Sequence, residues 1–200
     1  HLKACIYFVK DMSAPWGMDI PATANGPLHM VLEGRCILRC RGEDIPLKSG
    51  DAILLPHGAQ HQMLDQTSTV PEPGPEMMQR LMTENQTVAA SNSTRMLCGH
   101  FEWDGGFDHP FFKELPEVII VRGVFENRDA DRFRTVVNLI SAESGDNDPG
   151  SSAIADRMGE VLFVSMLRSW MMENKLDKGV LATINDPRLS RALRHIHQSP

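Results

Sequence analysis

Leu28–Met63 reads LHMVLEGRCILRCRGEDIPLKSGDAILLPHGAQHQM, and it decides the fold class. Apolar and polar residues alternate along it, and breaks fall at Glu33-Gly34, Arg41-Gly42 and Ser49-Gly50-Asp51. Period-two alternation punctuated by glycine turns predicts half-buried antiparallel strands. Pro27 to Arg41 reads as a hairpin turning near Glu33-Gly34, and Ala52 to Leu55 as a buried strand. Pro56-His57-Gly58-Ala59-Gln60-His61 turns that strand back. Two histidines at its close and a third at His29 place polar chemistry at the mouth of a β barrel.

The flanking sequence extends the same pattern before it changes period. Residues 4 to 10 form a short apolar strand, and Trp16, Met18 and Ile20 share one face of an extended segment bounded by Pro15 and Pro21. Val70 to Thr94 is rich in Pro, Glu, Asn, Ser and Thr and reads as a long loop. Strands resume at Arg95–Trp103 and Val118–Val121. After about residue 126, Phe133, Val136, Val137 and Ile140 recur at helical spacing, and Ser151 to Asn174 forms a second, longer helix that Ser151 or Ser152 can cap. In that helix Ile154, Met158, Val161, Leu162, Ser165, Met166 and Leu167 crowd one side. Asn185-Asp186-Pro187 then caps a last helix, Arg188 to His197. Strands first and helices after imply a mainly β barrel with a helical appendage, not a parallel α/β sheet.

Composition narrows the function classes. Two hundred residues suffice for one good core with a small helical addition. A net charge of −6 argues against a surface that binds nucleic acid broadly. No apolar run reaches the roughly 18 residues of a membrane span, so no membrane partner is expected. Cys5, Cys36, Cys40 and Cys98 are widely spread and read as reduced thiols in a cytoplasmic protein rather than as a disulfide framework.

Several segments together resemble the cupin-type sensor domain of AraC-like bacterial transcription regulators. They are Ala14-Pro15-Trp16-Gly17, His29 to Gly34, Gly50-Asp51 with Leu55 to His61, and Leu97-Cys98-Gly99. Asp186-Pro187-Arg188 and the helix it opens look like the first helix of that family's DNA-binding half. The resemblance implies a cupin (double-stranded β-helix, jelly-roll) barrel over residues 1–125, a helical dimerisation and linker region over 126–178, and the start of a helix-turn-helix domain over 179–200. It further implies a small-molecule effector, a homodimer, and DNA recognition through helices beyond Pro200. Arg188, Arg191 and Arg194 would meet phosphates only in the full-length protein.

His29, His57, His61 and Cys98, with His100 as an alternate, form the candidate metal set, since imidazole and thiolate suit four-coordinate zinc. His61 holds the metal-histidine position of the cupin Pro-x-Gly-x-x-His motif. The usual first motif, His-x-His followed by Glu, is missing from Trp16 to Ile20, which argues against an oxidative iron or manganese centre. The alternative is that these histidines hydrogen-bond within a polar pocket. Trp16, Val31 and Leu38 are expected to line an effector pocket with His29, His61 and Cys98. Cys36 and Cys40 read as buried small hydrophobes. The expected function is sensing rather than catalysis. The competing possibility is a cupin metalloenzyme, an isomerase or dioxygenase on a small polar substrate, because the fold hosts both.

Overall fold

A computed structural model of the chain describes residues 2–83, 92–103, 110–145 and 148–174. Ten strands and four helices follow in order: β1 (Leu2–Ser13), β2 (Gly17–Ile20), β3 (Gly26–Glu33), β4 (Arg35–Cys40), β5 (Glu43–Lys48), β6 (Ala52–Leu54), β7 (His61–Leu64), β8 (Glu72–Pro73), α1 (Gly74–Thr83), β9 (Ser93–Trp103), α2 (Pro110–Lys113), β10 (Ile119–Val121), α3 (Ala130–Gly145) and α4 (Ser151–Glu173). The strands form two five-stranded sheets, ordered β1-β9-β3-β6-β10 and β5-β4-β7-β2-β8. All pairings are antiparallel except β2 with β8.

The expected hairpin at Glu33-Gly34 does not form. β3 pairs with β6 and β9, whereas β4 pairs with β5 and β7. The chain crosses between sheets at Gly34, whose φ of 82° suits a residue without a side chain. A Cβ there would lie 2.6 Å from the Ser93 carbonyl. The true hairpin is β4–β5, closed by Arg41 and Gly42 at φ 55° and 81°, both in the left-handed region that a two-residue turn of this hand requires.

Alternation then sorts side chains between two cores. From β3, Leu28, Met30 and Leu32 face the helices, while Val31 faces the space between the sheets. β6 sends Ala52 and Leu54 one way and Ile53 the other, and β9 divides Leu97 and Phe101 from Met96 and Cys98. β1 changes parity along its length. Its register against β9 shifts between Ile6 and Phe8, so Ala4 packs toward the helices and Phe8 and Met12 into the inter-sheet core. That bulge falls on Tyr7.

α3 and α4 cover the outer face of the first sheet. Phe133, Val136, Val137 and Ile140 are buried as their spacing predicts. In α4 the crowded side divides: Leu162, Ser165, Met166 and Leu167 are buried with Phe163 and Trp170, but Ile154 and Val161 are exposed. The ring centroids of Phe101 and Phe163 lie 4.6 Å apart. Each such ring or aliphatic side chain stabilises the docking by about 1.5–3 kcal/mol. Gly159 lets α4 ride close to β1, since a Cβ there would come 2.8 Å from that of Ala4. The helix is capped by Gly150 with no side-chain bond, so neither Ser151 nor Ser152 acts as expected; Ser151 is already inside the helix and buried.

The Pro- and Glu-rich stretch after Val70 is not all loop. Gly74–Thr83 is helical, with Pro75 in the first turn and Met77 and Leu81, four apart, buried against the inter-sheet core. Two apolar positions proved enough to dock one face. The last expected helix, with Arg188, Arg191 and Arg194, lies outside the described residues.

Candidate ligand-binding site

His29 on β3, Cys98 on β9 and His61 at the start of β7 meet between the sheets. β3 and β9 are adjacent, and His29 and Cys98 are register partners. Gly58-Ala59-Gln60 returns the chain so that His61 faces them from the opposite sheet. The Nε2 atoms of His29 and His61 are 2.8 Å apart, His29 Nδ1 lies 3.2 Å from Cys98 Sγ, and His61 Nδ1 lies 2.8 Å from the Ala59 carbonyl oxygen.

The carbonyl fixes every proton in this series. It can only accept, so His61 Nδ1 carries hydrogen and, in the neutral ring, Nε2 is an acceptor. His29 Nε2–H therefore donates to His61 Nε2, which leaves His29 Nδ1 as acceptor for the Cys98 S–H. All three residues are buried. Burial, reinforced by His61, holds His29 well below the usual imidazole range. Burial also lowers His61, against the opposing pull of the Ala59 carbonyl and Asp19. The Cys98 thiol is pushed up by burial and then by Cys36. The relay is thus neutral, and its thiol is not a thiolate nucleophile.

A cavity of about 170 Å³ opens against one end of this relay. Phe8, Met18, Ile20, Pro27 and Met78 give it apolar walls, and His29 and Cys98 form part of its lining. α1 closes one side through Gly74, Pro75 and Met78. Tyr7 and His100 supply a second polar wall. The Tyr7 hydroxyl bonds His100 Nδ1, His100 Nε2 donates to Glu102 Oε1 at 2.9 Å, and the Asn25 amide donates to the same carboxylate oxygen at 3.3 Å. Burial, then Cys5, Glu102 and Cys98, pushes the Tyr7 hydroxyl up to about 12.

The sequence-derived set is therefore only partly assembled. His29, His61 and Cys98 come together. His57 does not join them, because its Nε2–H donates to the Leu115 carbonyl at 2.8 Å. His100 faces the same cavity but spends both nitrogens on Tyr7 and Glu102. Nor does the trio fit a four-coordinate zinc. His61 and Cys98 occupy opposite nitrogens of His29, and two nitrogens on one tetrahedral zinc sit about 3.3 Å apart, not at proton-sharing distance. Among the described residues no group of three or more His, Cys, Asp or Glu side chains is placed to hold a metal ion. Val31 and Leu38 are fully buried packing residues and do not line the cavity. Trp16 packs in the same core and borders a separate surface depression with Pro15 and Gly17. Cys36 and Cys40 are buried, as expected of small hydrophobes. Sequence reasoning passed over Tyr7 and Met78. The only signal for Tyr7 was that it is the chain's sole tyrosine.

A cupin family model matches residues 1–172. The chain belongs to the cupin family. It is 27% identical over 177 residues to an uncharacterized HTH-type transcriptional regulator of Haemophilus influenzae, covering 88% of this chain and 57% of that protein. It is 20% identical over 173 residues to the RCS-specific HTH-type transcriptional activator RclR of Escherichia coli, covering 86% of this chain and 52% of that one. This cupin thus spans little more than half the length of the curated relatives it matches. Among solved structures, ToxT of Vibrio cholerae with bound unsaturated fatty acid is similar over 91% of this chain and 61% of its own, at 8% identity and a TM-score of 0.46. Its sequence relatives are transcriptional regulators, in agreement with the resemblance drawn from the motifs. No helix among the described residues is long and apolar enough to cross a membrane.

Proposed function

We propose that this cupin is the ligand-sensing and dimerising half of an AraC-like transcription regulator. The observation that carries the proposal is the cavity itself: apolar walls ending on a relay whose protons all have partners inside the protein. Such a wall binds and discriminates. Among the described residues it presents no thiolate, no free base and no metal-binding donor set with which to turn over a substrate. The effector shifts populations between regulator states rather than making or breaking bonds. DNA recognition belongs to helices beyond Pro200, and dimerisation to the exposed side of α4.

The test is a reporter driven by the full-length regulator encoded by the gene. Met78→Trp, which fills the cavity, is expected to abolish the response to effector while leaving operator binding intact. A response that survives the filled cavity would place sensing elsewhere. The metalloenzyme alternative is checked by elemental analysis of protein purified without added metal, where zinc is expected well below one per chain. A stoichiometric metal lost on His61→Ala would restore that alternative.

A further inference from the structure

The proton inventory of the cavity wall specifies what a ligand must bring, given that the cavity is the effector site. Cys98 S–H is directed to His29 Nδ1 and is unavailable to a ligand. The Glu102 carboxylate can only accept, so His100 Nε2 carries hydrogen and the neutral ring offers Nδ1 as acceptor to the Tyr7 O–H. Both inward-facing donors are thus spent. What the wall still offers is acceptor capacity, chiefly the free lone pair of the Tyr7 oxygen. Of the other polar side chains in the described lining, Thr23 is exposed at the rim and Asn25 gives one of its two amide N–H groups to Glu102.

Size and charge follow from the same lining. An apolar cavity of about 150 Å³ accommodates benzene, so the volume here suits a single ring or a chain of similar bulk. Neither lysine nor arginine is among the described residues that line it. A carboxylate placed there would be buried without a counter-charge, at high cost.

We propose that the cavity takes a small, neutral, largely apolar molecule with one hydroxyl or N–H group, which it donates to the Tyr7 oxygen. Phenols and aromatic alcohols fit best; their methyl ethers bind more weakly, and carboxylates do not bind.

The test uses calorimetric titration of the 200-residue protein with phenol, anisole, toluene and benzoate at about pH 8. Phenol is expected to bind more tightly than anisole by on the order of tenfold, the value of one buried hydrogen bond. Benzoate is expected not to bind. Tyr7→Phe should reduce the phenol-to-anisole ratio to near one while toluene binding persists, which also shows that the variant is folded. Equal affinity for phenol and anisole in the natural protein overturns donor selection, as does an unchanged ratio in Tyr7→Phe. Benzoate as the tightest ligand overturns the charge argument. Failure of all four to bind overturns the proposed ligand class, whereas the sensing function stands or falls separately with the reporter response of Met78→Trp.

Discussion

Replacing both buried histidines should harm the protein less than the two single replacements combined. In His29→Leu, the His61 Nε2 lone pair and the Cys98 S–H both lose their partner inside a buried core. An unsatisfied buried polar group costs about 1–3 kcal/mol, the thiol least, so the net loss is about 2 kcal/mol. His61→Leu leaves the His29 Nε2–H unpaired, again at about 2 kcal/mol; the Ala59 carbonyl belongs to a half-exposed residue and can turn to water. The double leucine variant strands neither imidazole and should cost about 1 kcal/mol or less. The coupling is then about 3 kcal/mol, at the upper end of what contacting residues show. Urea unfolding of the four proteins at neutral pH measures it directly. For a chain of this size each single variant should also lower Tm by about 4–8 °C. Additivity within about 0.5 kcal/mol would refute the relay, because unconnected sites behave that way.

The same pair sets an acid limit on stability. Both histidines are held below the ordinary value of 6.5 in the folded state, chiefly by burial. Above that pH neither state carries the proton and nothing is lost. Below it the unfolded chain binds protons that the folded chain refuses, so stability falls with pH by up to about 1.4 kcal/mol per pH unit for each histidine, until the folded groups titrate. The double leucine variant should lose that slope in a pH series of denaturant melts; an unchanged slope would assign it to other groups. On α4, Ile154, Val161, Val164 and Met172 stand 40–53% exposed among Arg157 and Arg168. Val161→Glu with Val164→Glu is expected to convert a dimer to a monomer in sedimentation at micromolar concentration, without loss of helical signal. A natural protein that sediments as a monomer would refute dimerisation through this face.

Much of the site was legible because strand parity is a local property. His29 and Val31 share a face of β3, and Cys98 shares one with His100, as period two demands. The Pro-x-Gly-x-x-His turn delivered His61 to the same interior. What could not be read was which strands neighbour which. Gly34 looks the same at a hairpin tip as at a crossing between sheets, and only long-range pairing separates the two. His57 was misplaced because its partner is the Leu115 carbonyl, distant in sequence and featureless in its side chain. α1 was missed because a ten-residue helix needs only Met77 and Leu81 to dock, too few to register as a period. Val31 and Leu38 were assigned to the pocket because apolar residues at inward positions look alike until packing fills some of the space and leaves the rest open.

The bulge in β1 has a mechanical consequence. Tyr7 and Phe8 touch the cavity, while one residue earlier the Ile6 amide is tied to Asp156 of α4 at 2.9 Å. A regular strand would resist being pushed at one point. Here the ladder is already interrupted between Ile6 and Phe8, so the backbone has a compliant joint between the chamber and the helix layer. The cavity-facing Tyr7 and the Asp156 anchor on α4, the longest helix among the described residues, thus stand on either side of that joint. Close packing continues on the far side of the joint, where Gly159 seats α4 directly against Ala4 and Ile6.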